Sequence, residues 1–324
     1  MARFLTVTPN PAIDVTYTVE QQAIGETIRV HGVRRTAGGK GLNVARVLRA
    51  LGCDAAAILP LGGQGAFFRD ELTRSGMPFL ACPVSGSTRT TVAVVDGIVH
   101  PTLYAEPGTP LAESEWTSLA AAVRDNAVPG GWVVIAGSFP PQSVTAHLAL
   151  LIDAAHAGGA RVLVDTSGPL LVAAAEVGAD VVKANESEIC EATGADLLDG
   201  AVEIFAQRGV VLVVTRGADG VALRLPDGTT YLQPAIPGIS GNPTGAGDAA
   251  TAGLVAALAV DQDPRSALLS SVACGAAAVL SDLAGEIDPD ALAALAERAP
   301  TGRRTDPPSL PREIGAHRDH THED

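Results

Sequence analysis

The chain has 324 residues, 47% of them hydrophobic, so it can bury a core large enough for one α/β domain or for a core with a small appendage. Its 22 basic and 36 acidic residues give a formal net charge of −14, which leaves no basic face to neutralise phosphates and argues against a nucleic-acid binder. The four cysteines are far apart and form no C-x-x-C pair, so they predict neither a zinc site nor a disulfide framework. A reducing cytoplasm fits best. No leader or membrane-spanning run is apparent, and we expect no membrane partner.

Short apolar runs recur along the chain with helix-like stretches between them, which is typical of a mostly parallel sheet flanked by helices. The predicted buried strands lie at 4–8, 55–59, 132–136, 161–165, 180–183 and 210–215. Two other regions, 15–33 and 87–104, carry alternating or β-branched residues and interrupt this rhythm. We expect them to form a small second sheet. Ligands of open α/β sheets bind beyond the carboxyl ends of the strands, so such a sheet would act as a lid.

The end of the chain differs in composition from the rest. Residues 300–324 are rich in Pro, Arg, Asp and His and show no apolar periodicity, so we expect a disordered tail. The sequence therefore predicts one α/β domain over residues 1–299, followed by that tail.

The first predicted strand is followed by the motif T-P-N-P-A-I-D at residues 8–14. Its prolines would end the strand and leave Asp14 at the carboxyl end, where a carboxylate is well placed to accept hydrogen bonds from sugar hydroxyls. From this residue alone, an Asp that merely stabilises the turn is an equally good interpretation.

A second motif, G-G-K-G-L-N, occupies residues 38–43 and precedes an amphipathic helix that begins near Leu42. Its three glycines within four positions allow close approach of the backbone to a ligand. Lys40 is one of only two lysines in the chain, the other being Lys183. A lysine in a glycine-rich loop at a helix start indicates an anion site.

The most informative motif is T-G-A-G-D at residues 244–248, which opens a long alanine-rich helix. Gly245 and Gly247 permit a sharp turn, and the first N–H groups of a helix attract anions. A carboxylate, Asp248, inside such a cradle makes chemical sense if the anion is a phosphoryl group in transfer and the Asp accepts the proton of the attacking hydroxyl. The motif therefore predicts a kinase. The alternative is an ordinary helix start with an acidic residue in its first turn.

Two other phosphate-binding motifs fit less well. The segment 245–250 matches G-x-G-x-x-A, but it lies late in the chain and not after an early strand, as a dinucleotide-binding fingerprint would. A P-loop is excluded because neither Lys40 nor Lys183 is followed by Ser or Thr.

Four further segments complete a recognisable series: S-T-R-T at 87–90, A-G-S-F-P at 136–140, K-A-N-E-S-E at 183–188 and T-R-G-A-D-G at 215–220. With the three motifs above, and in this order, they resemble the PfkB, or ribokinase-like, family of carbohydrate kinases over residues 3–298. Within the family, the branch that contains 1-phosphofructokinase and tagatose-6-phosphate kinase is the most similar.

The resemblance implies a ribokinase-like fold with a β-sheet lid, ATP and Mg²⁺ as cofactors, and roles for individual residues. Asp248 would be the general base, and the backbone N–H groups of Gly245, Ala246 and Gly247 would bind the transferring phosphoryl group. The implied substrate-binding residues are Asp14, Arg29, Gly39, Lys40, Asn43, Arg89 and Ser138. The implied nucleotide-binding residues are Lys183, Asn185, Thr215, Gly217 and Gly220.

Asn185 and Glu188 resemble the N-x-x-E pair of the family, which organises magnesium and phosphate, here expected to act through water molecules. From the residues alone, a helix cap with a surface acid is the preferred interpretation. The chain departs from the family pattern at Ala105, Ala184, Arg216 and Ala250. Of these, Ala105 could alter sugar contacts and Arg216 nucleotide contacts.

The function that follows is ATP-dependent phosphorylation of a ketohexose phosphate, with fructose 1-phosphate first. Tagatose 6-phosphate and fructose 6-phosphate are the alternatives, together with an unphosphorylated sugar or nucleoside. A catalytically silent sugar-phosphate sensor is a further alternative, which the intact T-G-A-G-D motif disfavours. We expect Arg29, Lys40 and Arg89 to grip the phosphate already on the sugar. A protruding lid sheet leaves an edge uncovered, so we also expect a homodimer.

Overall fold

The computed structural model describes residues 3–98, 101–261, 263–281 and 283–305. Its strands are β1 (Arg3–Val7), β2 (Ala12–Thr18), β3 (Gly32–Gly38), β4 (Asp54–Leu61), β5 (Phe79–Pro83), β6 (Arg89–Val95), β7 (Thr102–Ala105), β8 (Trp132–Ala136), β9 (Arg161–Asp165), β10 (Val181–Asn185), β11 (Val211–Thr215), β12 (Val221–Arg224), β13 (Thr230–Gln233) and β14 (Arg303–Thr305). Its helices are α1 (Lys40–Ala50), α2 (Gly65–Arg74), α3 (Glu113–Asn126), α4 (Thr145–Ala157), α5 (Pro169–Glu176), α6 (Glu186–Thr193), α7 (Leu198–Ala206), α8 (Ala246–Leu258), α9 (Pro264–Val279) and α10 (Pro289–Arg298).

A ten-stranded sheet forms the centre of the fold, in the order β14-β13-β12-β11-β10-β9-β8-β1-β4-β5. The strands from β11 to β5 in this order are parallel, and β12, β13 and β14 extend the sheet in antiparallel fashion. This confirms the predicted mostly parallel α/β architecture. The chain order reverses between β1 and β8, which creates the kind of crevice in which open α/β sheets bind ligands.

Helices cover both faces of this sheet, because its parallel strands are apolar on both sides. Alternate residues of β8 show the division. Val133 and Ile135 join a core that contains Trp116 of α3. Their neighbours Trp132 and Val134 lie in a second core, together with residues of α1, α8, α9 and α10. Helices α1 and α8 therefore share one face of the sheet, and both begin at the edge where the site lies.

A second sheet of four strands, in the order β3-β2-β6-β7, confirms the predicted small sheet. The strands differ from the predicted regions in their bounds. β2 begins at Ala12, β3 extends to Gly38, and residues 19–31 between them contain no strand. Ile13 and Val15 of β2 pack into a third core with Leu42 and Phe68. Asp14 lies between them in a strand, so its side chain points to the opposite face of the sheet.

The segment after residue 299 is partly ordered, contrary to the expected tail that begins at 300. Arg303–Thr305 forms β14 and pairs with β13, with Arg303 opposite Leu232 and Thr305 opposite Thr230. A strand added at a sheet edge needs mainly backbone hydrogen bonds, so polar residues without apolar periodicity can form one. The expectation of disorder for residues 306–324 concerns residues outside those that the structure describes.

Two further properties bear on the expectations from composition. Among the helices of the described residues, none is long and apolar enough to cross a lipid bilayer. All four cysteines carry free thiols, and Cys82 and Cys274 are buried. Burial raises the pKa of Cys274 to about 12, which makes it an unreactive thiol at neutral pH.

Candidate active site

The motifs singled out in the sequence converge on the edge where the parallel strands end. Thr8 directly follows β1, Asp165 and Asn185 are the last residues of β9 and β10, and Thr215 is the last residue of β11. Register confirms that they are neighbours, since Asn185 pairs with Thr215 and Lys183 with Asp165. Because carboxyl ends of parallel strands meet at one edge, residues distant in sequence come together here.

Asp248 lies in the first turn of α8 and is only 7% exposed. The side-chain amide of Asn43 on α1 donates a hydrogen bond of 2.8 Å from Nδ2 to its Oδ2 atom. Burial raises the pKa of Asp248 to about 6, although the hydrogen bond from Asn43 acts in the opposite direction. A carboxyl group with that pKa is ionised at neutral pH and can still take up a proton during a reaction, which suits a general base.

The turn before Asp248 depends on its glycines. Gly245 has φ of +83°, and a Cβ there would lie 2.8 Å from Cα of Ala284, so no other residue fits without strain. A Cβ on Gly247 would instead meet only Nζ of Lys183, at 3.9 Å. The N–H of Ala246 donates to the carbonyl of Pro243 at 3.2 Å, whereas those of Gly245 and Gly247 make no hydrogen bond within the described residues. Two of the three predicted N–H donors are thus available to an anion.

Asp165 is the centre of a buried charged cluster that sequence reasoning missed. Its side chain is 2% exposed and accepts hydrogen bonds from Nζ of Lys183 at 2.7 Å and Oγ1 of Thr251 at 2.8 Å. It also pairs with Lys40, whose Nζ lies 3.3 Å from Oδ1. Burial alone would raise the pKa of Asp165, but the two lysines hold it well below its usual range. Asp165 therefore stays charged and fixes both lysines of the chain.

Lys40 contacts a different part of the site from the one predicted. Its Nζ also pairs with Oε1 of Glu188 at 3.3 Å, so two carboxylates hold its ammonium group. These two attractions, with Asp165 first, raise the pKa of Lys40 above its ordinary range. Lys40 thus joins α1 to the end of β9 and the start of α6, on the side of the predicted nucleotide residues.

Asn185 and Glu188 form a reciprocal cap at the start of α6. Oδ1 of Asn185 accepts from the N–H of Glu188 at 2.8 Å, and Oε2 of Glu188 accepts from the N–H of Asn185 at 2.9 Å. No group of three His, Cys, Asp or Glu side chains arranged to hold a metal occurs within the described residues. Each of these oxygens already accepts a hydrogen bond or an ion pair, which fits a bound Mg²⁺ that keeps part of its water shell.

The remaining predicted nucleotide residues follow β11. The hydroxyl of Thr215 donates to the carbonyl of Ala184 at 3.5 Å, and Gly217 and Gly220 both have positive φ in the turn that leads to β12. Arg216, which departs from the family pattern, ion-pairs with Glu186 at 3.4 Å. The turn is therefore tied to the start of α6, where Asn185 lies.

The predicted sugar residues Asp14, Arg89 and Ser138 come together at the base of the small sheet. Burial raises the pKa of Asp14 to about 6, while the nearby positive charges of Arg89 and Arg46 lower it. Arg89 donates from Nε to the carbonyl of Asn10 at 3.1 Å and from Nη2 to Oγ of Ser138 at 3.4 Å. Arg89, the first residue of β6, is thereby joined to the loops that follow β1 and β8.

Two other predicted residues occupy different settings. Gly39 has φ of +123° and precedes α1, and a Cβ there would lie 2.5 Å from Cγ2 of Thr8, so the glycine lets α1 start against the end of β1. Arg29 is exposed in the segment between β2 and β3 and makes no hydrogen bond or ion pair with other described residues. Within the described residues, the charges that act on Arg89 are those of Asp14 and Glu106, and Arg29 is not among them.

The sequence offered only weak signals for the residues that were missed. Asp165 is the last residue of a predicted strand, and a carboxylate in that position could have been noted. Asp14, which was expected at the carboxyl end of the first strand, instead lies within β2 of the small sheet. Arg46 and Glu71 lie within helices, where nothing distinguishes them from surface charges. Arg46 nevertheless donates to Oδ1 of Asn43 at 3.3 Å and to Glu71 at 3.1 Å.

Comparison with known proteins places this chain in a family. A match to the family described as pfkB family carbohydrate kinase spans residues 8–291. A 1-phosphofructokinase of Rhodobacter capsulatus is 34% identical over 307 residues, covering 91% of this chain and 96% of that protein. An ATP-dependent 6-phosphofructokinase isozyme 2 of Mycobacterium tuberculosis is 30% identical over 285 residues, covering 85% and 82%.

The fold agrees with these relatives. The tetrameric inhibited form of phosphofructokinase-2 from Escherichia coli matches with a TM-score of 0.81 and 28% identity, over 92% of this chain and 99% of that one. The chain belongs to the pfkB family of carbohydrate kinases. It is a sugar kinase, a phosphotransferase with an alcohol group as acceptor, which confirms the class of enzyme expected from the motifs.

Proposed function

We propose that this kinase transfers the γ-phosphoryl group of ATP to a ketohexose phosphate, with fructose 1-phosphate as the first choice and fructose 1,6-bisphosphate as the product. The observation that carries the proposal is the position of Asp248, buried at the start of α8 and hydrogen-bonded to Asn43. The 34% identity to a 1-phosphofructokinase over most of both chains supports the choice of substrate.

In the proposed reaction, the oxygen of the attacking sugar hydroxyl bonds to the γ-phosphorus, and the carboxylate of Asp248 accepts the proton of that hydroxyl. The bond between that phosphorus and the bridging oxygen of ADP breaks in the same step. The N–H groups of Gly245 and Gly247 donate hydrogen bonds to the phosphoryl oxygens and stabilise their negative charge during the transfer. Asp14 orients the sugar by accepting hydrogen bonds from its hydroxyl groups.

Positive charge is supplied to the same place by the two lysines that Asp165 holds. Nζ of Lys183 lies 3.9 Å from the place that a Cβ of Gly247 would take, and Lys40 reaches Glu188 at the start of α6. We therefore assign Lys40 to the transferring phosphoryl group in preference to the phosphate already on the sugar. Asn185 and Glu188 would hold Mg²⁺ through water, and the ion when bound would neutralise charge on the β- and γ-phosphates.

The phosphate already on the sugar needs a cationic site separate from the one for the transferring phosphoryl group. Arg89 is the candidate, since it lies within reach of Asp14 and Ser138. Arg29 is exposed in this chain and would contribute only if the segment 19–31 approached the site. A kinase of an unphosphorylated sugar or nucleoside would need neither arginine. The 6-phosphofructokinase relative keeps fructose 6-phosphate as an alternative, and tagatose 6-phosphate is a further one.

A panel of acceptors tests this proposal directly. The purified protein is incubated with ATP, Mg²⁺ and each of fructose 1-phosphate, fructose 6-phosphate, tagatose 6-phosphate, fructose and a nucleoside, and ADP release is measured. We expect the highest kcat/KM for fructose 1-phosphate, with fructose 1,6-bisphosphate identified by phosphorus NMR. A higher value for another acceptor would replace the substrate, and the absence of turnover with every acceptor would favour a sugar-phosphate sensor.

We also propose that the chain forms a homodimer through its small sheet. Strand β7 lies at one edge of that sheet, and all of its residues are exposed, including Leu103 at 61% and Tyr104 at 64%. An open edge with exposed apolar side chains favours pairing with a second copy. Light scattering should give twice the monomer mass, and Leu103→Asp should reduce it. A monomer with full activity would contradict the proposal.

A further inference from the structure

A continuous hydrogen-bonded path runs from the root of the lid to the proposed base. Oε2 of Glu71 on α2 accepts from the N–H of Ala37 in β3 at 2.5 Å, and its Oε1 accepts from Nη2 of Arg46 at 3.1 Å. Nη1 of Arg46 in turn donates to Oδ1 of Asn43 at 3.3 Å. Nδ2 of Asn43 then donates to Asp248.

This arrangement fixes which end of the Asn43 amide faces the base. An amide carries one acceptor oxygen and one donor nitrogen, and Arg46 can only donate. While Arg46 occupies the oxygen, the nitrogen must point at Asp248. Without Arg46, only the ionised carboxylate of Asp248 favours this orientation, and that preference is lost when Asp248 takes up a proton, so the amide is held less firmly.

Arg46 is itself held in place from several sides. The carboxylates of Glu71, Asp14 and Glu286 all act on its guanidinium group, and its side chain is about one-fifth exposed. Its Cδ atom also packs against the turn at Gly285, where a Cβ would come within 3.2 Å. Such a guanidinium fork, with one arm on Asn43 and the other on Glu71, has a single geometry that lysine cannot reproduce.

We propose that Arg46 and Glu71 act as a positioning pair, which orients the Asn43 amide toward Asp248 and joins this orientation to lid strand β3. The proposal rests on the assignment of Asp248 as the base. Neither Arg46 nor Glu71 touches the reacting atoms in this scheme. They act through Asn43, so their loss should lower turnover while the nucleotide side of the site stays intact.

The test uses three variants of the full chain: Arg46→Met, Arg46→Lys and Glu71→Gln. We expect kcat to fall about 10- to 100-fold for Arg46→Met and Glu71→Gln, since small misplacements of catalytic groups have effects of this size. Arg46→Lys should retain intermediate activity, because it keeps the charge and loses the fork. KM for ATP should change by less than about twofold in all three.

The pH profile separates positioning from simple charge effects. The groups that act on Asp248 are Asn43 and Lys40 from α1, Asp165 from β9 and Lys183 from β10. Because Arg46 and Glu71 also act directly on Asp14, the limb is read in kcat at saturating sugar, where Asp14 is already bound to substrate. If the pair works through the Asn43 hydrogen bond, both Arg46→Met and Glu71→Gln weaken that bond and move the acid limb of kcat to higher pH. If only through-space charge matters, the two substitutions remove opposite charges and must shift the limb in opposite directions.

A matched control pair lies elsewhere in the chain, where Nη2 of Arg208 contacts Glu176 at 2.7 Å. Arg208→Met should leave kcat and the pH profile unchanged. Circular dichroism and calorimetric ATP binding establish that each variant is folded. A folded Arg46→Met with wild-type kcat, or opposite pH shifts, would overturn the inference. Full turnover of Asp248→Asn would instead overturn the assignment of the base.

Discussion

The ammonium group of Lys183 donates a 2.7 Å hydrogen bond to Asp165, and these two residues are paired across the neighbouring strands β10 and β9. The same ammonium group lies 3.9 Å from the place that a Cβ of Gly247 would take, in the turn that precedes the proposed base. A carboxylate on the neighbouring strand thus holds this cation in front of the N-terminus of α8. Preorganised charge of this kind stabilises a transferring phosphoryl group at little reorganisation cost.

The first prediction concerns the base. Asp248→Asn keeps the shape of the side chain and removes its ability to accept a proton. We expect kcat to fall by about 10²- to 10⁴-fold, with little change in the affinity for the sugar phosphate. Steady-state kinetics and calorimetric binding check both parts. A variant that keeps more than about a tenth of wild-type kcat would contradict the assignment.

The second prediction compares two glycines of the same turn. Gly245→Ala should lower both stability and activity, because φ of +83° is strained for alanine and the new methyl group would clash with Ala284. Gly247→Ala should fold normally, since its methyl group meets only Lys183 at 3.9 Å, yet it should lose activity by intruding on the phosphoryl group. Thermal unfolding and kcat are measured for both. Equal loss of stability in the two variants would show that the turn is mainly structural.

The third prediction concerns the phosphate already on the sugar. Arg89→Ala should raise KM for the phosphosugar about 10- to 100-fold and leave KM for ATP nearly unchanged, since a charge-assisted contact contributes about 1.5–3 kcal/mol. Arg35→Ala is the control, because Arg35 is an exposed arginine of the same sheet and its register opposite Val15 places it on the other face from Asp14. Small and equal effects on both KM values would favour an unphosphorylated acceptor.

The fourth prediction is a fall in kcat/KM for the sugar on the acid side. Burial raises the pKa of both Asp248 and Asp14 to about 6. As the pH falls through this value, Asp248 becomes protonated and cannot accept a proton, and Asp14 becomes protonated and loses its charge. We expect activity to be nearly constant above about pH 7 and to fall below it, with a slope between one and two. Constant kcat/KM down to about pH 5 would contradict this prediction.

Much of the fold could be predicted because the signals are local. Apolar runs such as 132–136 and 161–165 coincide with β8 and β9, and the T-G-A-G-D motif opens α8 where helix-start chemistry places it. The strand boundaries of the small sheet could not be predicted as well. Residues 19–31 fall inside a predicted strand region, yet they connect β2 to β3 with exposed residues such as Ile24.

The partners of charged residues could not be predicted in the same way, because they depend on which strands are adjacent. Lys40 was expected to face a sugar phosphate, but the neighbouring ends of β9 and β10 place Asp165 and Glu188 beside its ammonium group. The path from Glu71 to Asn43 likewise requires α1, α2 and β3 to meet. No periodicity in the sequence encodes such a contact.

The short strand β14 also determines where the chain can be shortened. A protein truncated after Arg298, at the end of α10, would lack Arg303–Thr305 and would expose the backbone N–H and C=O groups of β13. Open strand edges are templates for pairing with other chains, so a shortened protein would tend to associate in ways unrelated to its natural assembly. Recombinant versions made for crystallisation or assay should therefore retain the residues through Thr305.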